Sequence, residues 1–195
     1  SEPFHPTRFD YEAFRGPRAA DEVREPNYLP FMGQRFALRE KKEDLIVLCR
    51  WDVTRFPLTV YVQPPALDPA LTDEFNAGKE PTAFTEAAWR ALESWQRSLG
   101  GVVTFRRVRS DQQADLRIVL VGQTGPVPEA GVQVLGTTPM RDACKVTGRS
   151  LWPDRLEVAF EVPEIRIYVA DDHGLLPVDQ VERNVLHEIG HALGM

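Results

Sequence analysis

Between Pro177 and Gly194 the apolar residues Val178, Val181, Val185, Ile189 and Ala192 recur at steps of three and four. That is the period of a helix with one buried stripe. At about 100° per residue these positions cluster within roughly 80° of each other, whereas His187 and His191 fall on the opposite side. A lone histidine on an apolar face is usually a satisfied core residue, but two histidines one turn apart on the far face are not placed for that role. They are either a solvated pair or ligands of one shared ion. Pro177 suits the start of such a helix, because its fixed φ and missing N–H cost nothing in the first turn.

The spacing favours the shared ion. Side chains at i and i+4 have Cβ atoms about 5 to 6 Å apart, and two nitrogens on one tetrahedral zinc lie about 3.3 Å apart. The rings of His187 and His191 can therefore converge. Glu188 is displaced about 100° around the helix from His187, which puts its carboxylate beside the ion rather than on it. Zinc lowers the pKa of a water it holds to about 7, and a neighbouring carboxylate can take the proton as that water attacks a peptide carbonyl. The same acid can then protonate the leaving amine. The candidate site is thus His187 and His191 as metal ligands and Glu188 as general base and acid, with Zn2+ as the expected cofactor.

Upstream, Phe84, Ala88, Leu92, Trp95 and Leu99 give a second helical stripe between Pro81 and Gly100, with Thr82 or Thr85 as its expected cap and Gly100-Gly101 as its end. The run Phe56 to Val62 is β-branched and aromatic and stops at Pro64-Pro65, which predicts a strand. Further strands are predicted over Val102 to Val108, Ala114 to Val121, Glu157 to Val162 and Glu164 to Val169, with Pro163 marking a break. Gly122 to Pro153 is dense in Gly, Pro and Thr and most of it reads as loop, with Val132 to Thr138 as a short edge strand. Residues 1–44 show no sustained period and read as an N-terminal extension or pro-segment, with regular structure from Leu45 and the main domain over 45–195.

The chain has 195 residues, 43% of them hydrophobic, which suffices for one core and makes several domains unlikely. Its net charge of -6 argues against a nucleic-acid partner, and Arg106, Arg107 and Arg109 read as a solvated strand face rather than an anion site. No apolar run approaches the roughly 20 residues that span a bilayer. Cys49 and Cys144 are either a disulfide or two buried thiols. A third reading has Cys49 reaching the metal as a latency ligand.

With Gly194, the motif extends to His187-Glu188-x-x-His191-x-x-Gly194. In this form it resembles the metzincin clan of zinc metallopeptidases, and bacterial matrixin-like proteins in particular. The resemblance implies an α+β fold: a zincin-like upper subdomain with a mixed, twisted sheet of about five strands and two main helices, the last carrying the site. It implies that Gly194 lets the chain turn sharply so that a third histidine can reach the zinc. Since the sequence ends at Met195, it also implies that this ligand and the lower subdomain lie outside it, and that the chain as given keeps the upper rim of the cleft while losing most catalysis. The implied substrate is a protein or peptide lying extended along the edge strand. The implied location is secreted or extracytoplasmic.

Within the chain His173, in Asp171-Asp172-His173-Gly174, is the best replacement ligand, although such a cluster more often forms a turn; His5 is weaker. The Asp171-Asp172 pair falls far short of the 6 to 8 oxygens that calcium takes. Two other functions remain open at this stage. One is a non-catalytic protein-binding module, and the other is a zinc hydrolase of a non-peptide substrate.

Overall fold

The computed structural model describes residues 7–8, 33–38, 43–48, 51–67, 69, 79–127, 133–139, 143–150 and 155–194. In chain order its strands are β1 (Thr7–Arg8), β2 (Gly33–Leu38), β3 (Glu43–Leu48), β4 (Leu58–Gln63), β5 (Phe105–Arg107), β6 (Leu116–Thr124), β7 (Gly136–Thr137), β8 (Cys144–Ser150), β9 (Arg155–Phe160), β10 (Glu164–Asp171) and β11 (Gly174–Leu175). Among the described residues the α-helices are α1 (Pro81–Ser98) and α2 (Val178–Leu193). The chain divides into two compact units, one of Asp52–Pro139 with Val162–Ala192 and one of Ser1–Trp51 with Met140–Glu161 and Leu193–Met195.

The first of these units is α+β, built on a mixed sheet of six strands, five of them in the order β11-β10-β6-β4-β5. β4, β5, β6 and β10 run parallel, and β11 is antiparallel to β10. The short β7 also pairs antiparallel with β10, at Arg166↔Thr137 and Ile167↔Gly136. Parallel neighbours need a crossover, and α1 supplies it between β4 and β5. The strands alternate because one face meets the core: Leu58, Val60 and Val62 of β4, Leu116, Ile118 and Leu120 of β6, and Ile165, Ile167 and Val169 of β10 are buried. The helices answer with Phe84, Ala88 and Leu92 of α1 and Val181, Val185, Ile189 and Ala192 of α2, all buried.

The two helices are joined by Trp95, whose Nε1 donates to the Leu186 carbonyl at 2.8 Å. Gly190 leaves room for that indole, since a Cβ there would stand 3.2 Å from Trp95 Cζ2. The predicted end of α1 is observed, with Gly100 at φ 60° and Gly101 at φ 77° and the Gly101 amide donating to Gln96 O at 3.0 Å. Its predicted cap is not. Glu80 occupies the cap position without a side-chain hydrogen bond, and Thr85 Oγ1 instead donates back to the Pro81 carbonyl at 2.8 Å. Proline in the first turn already removes an orphan N–H, so a hydroxyl cap has less to satisfy.

In the second unit β1, β2 and β3 form an antiparallel sheet and β8 pairs antiparallel with β9. Two expectations are corrected here. Regular pairing involves residues well before Leu45, and Cys144–Ser150 is a strand rather than loop. The Trp51 ring meets Phe160 edge-on at 5.7 Å, and Glu161 N donates to Ala143 O at 2.7 Å beside the β8–β9 pair. Cys49, the side chain of Cys144 and His5, on which the disulfide, latency and replacement-ligand readings fall, lie outside the described residues. Among the described residues no helix is long and apolar enough to cross a membrane.

Candidate metal centre

The apolar stripe of α2 fixes the rotation of the helix, and this presents His187 and His191 away from the core. Their Nε2 atoms stand 3.1 Å apart, with the rings edge to face at 4.7 Å between centroids. That separation matches the roughly 3.3 Å between two nitrogens on one tetrahedral ion. His187, Glu188 and His191 place ligand atoms within 4.8 Å of one another, and the group can hold a metal ion. Imidazole nitrogens suit zinc, copper, iron and nickel alike, so the donors leave the element open.

Glu188 is set apart from the histidines by burial. It is 8% exposed, whereas His187 is exposed and His191 half-buried. A buried carboxylate needs hydrogen-bond donors, and Thr138 provides one: its Oγ1 lies 2.6 Å from Glu188 Oε2 and 3.0 Å from the Glu188 carbonyl. With a single proton the hydroxyl serves one acceptor at a time, and the shorter contact is to the carboxylate. Gly136 backs the same side chain, since a Cβ there would come within 2.7 Å of Glu188 Cγ. Gly136 and Thr138 are two apart on one strand and its continuation, and therefore face the same way.

Their segment is held in place by β10. Tyr168 N donates to Leu135 O at 3.0 Å, just before the β7 pairing. Between Tyr168 and Ala170 the β10–β6 register shifts, so β10 is irregular between its attachments to β7 and to β11. A cleft of about 330 Å³ opens between Gln133–Gly136 on one side and Asn184, His187 and Glu188 on the other. The expected edge strand within Val132 to Thr138 is thus present as β7 and borders this cleft.

His173 is not part of the cluster. It lies exposed in the turn between β10 and β11, with its backbone amide donating to Asp171 Oδ1 at 2.8 Å, the local turn that the Asp-Asp-His-Gly sequence favours. Gly194 takes φ +93°, the left-handed conformation expected of a glycine that ends a helix. Arg106, Arg107 and Arg109 are exposed; Arg107 stacks over Trp89 at 5.2 Å and lies 3.5 Å from Glu86. The solvated-face reading describes them well.

Sequence reasoning missed Gly136, Thr138, Gln133 and Asn184. The signals were present but weak: Gly136 and Thr138 share one face of the predicted edge strand, and Asn184 stands one turn before His187 on the histidine face. Compared with protein-family models, curated proteins and solved structures, the chain matches none. What the site can do therefore rests on its own geometry.

Proposed function

We propose that this protein is a zinc-dependent endopeptidase of the metzincin type, matrixin-like, with the sheet and helices of the Asp52–Pro139 and Val162–Ala192 unit forming the upper wall of its substrate cleft. The observation that carries the reading is the convergence of His187 and His191 Nε2 at 3.1 Å beside a buried glutamate held by a neighbouring hydroxyl. Neutral imidazoles at that distance can share one ion. A zinc ion bound there would supply Lewis acidity and a water acidified to a pKa of about 7.

Glu188 does the proton work. Thr138 engages Oε2, which leaves Oε1 to accept a proton and return it to the departing amine. A structural glutamate on a solvated helix face would need neither the Thr138 hydroxyl nor the clearance at Gly136. The short antiparallel β7 would guide an extended peptide past the site through main-chain hydrogen bonds. The third ligand, the turn at Gly194 and a secreted or extracytoplasmic location belong to the same proposal.

The test is cleavage of a peptide library by the wild type and by Glu188→Ala, each with metal content measured. The variant should keep the metal and lose cleavage. Cleavage by the wild type should stop on adding a chelator and return with zinc. Cleavage retained by the variant, or indifferent to the chelator, rules the proposal out.

A further inference from the structure

Two side-chain amides beside this site have hydrogens to donate and, among the described residues, nothing to receive them. Among the described residues Asn184 Nδ2 and Gln133 Nε2 are both buried without a hydrogen-bond partner, and both residues line the cleft that reaches His187 and Glu188. The orientation of the Asn184 amide follows from a relay. Arg183 Nη2 stands 2.8 Å from Gln180 Oε1, and because a guanidinium only donates, the atom it meets must be the oxygen. Gln180 therefore turns its Nε2 to Asn184 at 2.8 Å, and the atom that receives it must be Oδ1. Asn184 is left with its NH2 group uncommitted.

The two donors come from different walls. Asn184 stands one turn before His187 on the same helix face, and Gln133 lies three residues before Gly136, which backs the Glu188 side chain. The apolar pair Val134 and Leu135 also lines the cleft. A buried N–H that forgoes its bond to water is uncommon, and two beside one cleft point to an acceptor that arrives with the ligand, met once a side-chain torsion turns each amide out of its closed position.

We infer that this cleft is a subsite for a side chain ending in a carbonyl or carboxylate oxygen, with Asn184 and Gln133 as its specificity-determining residues. The inference deepens the peptidase reading and rests on it for the choice of a peptide as ligand: one carrying Asn, Asp, Gln or Glu next to the bond presented to Glu188. A leucine side chain of similar size would fill the space and leave both amides bare. A site built to donate rejects such an analogue. A lysine would bring donors to donors.

The experiment is calorimetric binding of end-blocked hexapeptides that differ only at one central residue (Asn, Asp, Gln, Glu, Leu or Lys), with chelator present so that no turnover intrudes. Peptides tipped with an oxygen acceptor should bind the wild type about tenfold or more tighter than the leucine peptide. Asn184→Leu and Gln133→Met, each checked for native circular dichroism, should each erode that preference. A leucine peptide that binds as tightly as the asparagine peptide, or no binding by any peptide, overturns the inference. Selective binding without chelator-sensitive cleavage would sink the peptidase reading and keep the subsite. Cleavage without selectivity would do the reverse.

Discussion

Replacing Gly136 with alanine puts a methyl group where the Glu188 side chain now lies. The new Cβ would stand 2.7 Å from Cγ, 2.8 Å from Oε1 and 3.0 Å from Cδ of Glu188. Ordinary contact begins at 3.4 Å, so the gap from 2.7 to 3.4 Å requires a movement of about 0.7 Å. β7 is pinned to β10 by its pairing and by the Tyr168 amide on Leu135 O, whereas a glutamate turns about its own torsions. The carboxylate is therefore the part that moves, and it strains the 2.6 Å bond to Thr138. Overpacking relieved by one flexible side chain should cost the fold on the order of 1 kcal/mol. A reacting group misplaced by about 1 Å can lose roughly a hundredfold in rate. Gly136→Ala should accordingly lower kcat/KM by about ten- to a hundredfold while metal binding at His187 and His191 stays unchanged. Cleavage rates and metal stoichiometry measured side by side, with a thermal melt, decide it. Wild-type turnover in the variant, or loss of metal together with turnover, would refute the reasoning.

Thr138→Val removes the hydroxyl without adding bulk and should slow cleavage by about tenfold, the worth of one hydrogen bond, with Thr138→Ser restoring it; equal rates in all three would show that the contact is incidental. Burial pushes the Asp115 carboxyl up, but the Thr59 amide and hydroxyl and the Arg55 guanidinium outweigh it and hold the group below its ordinary value. A depressed native value means that this stabilisation is whole above the unfolded pKa and is lost as pH falls through the native one, so Asp115→Asn should cost about 1 to 2 kcal/mol at neutral pH and flatten the acid limb of the stability curve. Denaturant titrations from neutral to acid pH check this, and an unchanged acid limb contradicts it. Trp95→Phe should lose the bond to the Leu186 carbonyl and about 1 kcal/mol, lowering Tm by roughly 2 to 4 °C; an unchanged melt would mean that water replaces the indole there.

Elements whose burial is written in local periodicity were legible. Val181, Val185, Ile189 and Ala192 announce α2 because one helix face must leave water, and the same rotation presents His187 and His191. Leu58, Val60 and Val62 announce β4 in the same way. β8 was hidden because Lys145, Thr147, Gly148 and Arg149 break the alternation of Cys144–Ser150, and its pairing is set by β9, further along the chain. β2 was hidden similarly: Gly33-Gln34-Arg35 carries no apolar side chain, leaving only Phe36 and Leu38 to mark a face. At the site, the residues that could hold a metal follow from spacing within one helix. The Thr138 contact to Glu188 spans 50 residues and depends on how β7 registers with β10, which no local pattern carries.

The central claim is that His187 and His191 act on one ion. The most direct measurement is a zinc titration followed by NMR of the imidazole ring nitrogens, in the wild type and in His191→Ala. The account predicts that both Nε2 resonances shift together over one binding curve in the wild type, and that the His187 shift weakens or vanishes in the variant. Two rings that respond on separate curves, or a His187 response that survives loss of His191, would contradict it.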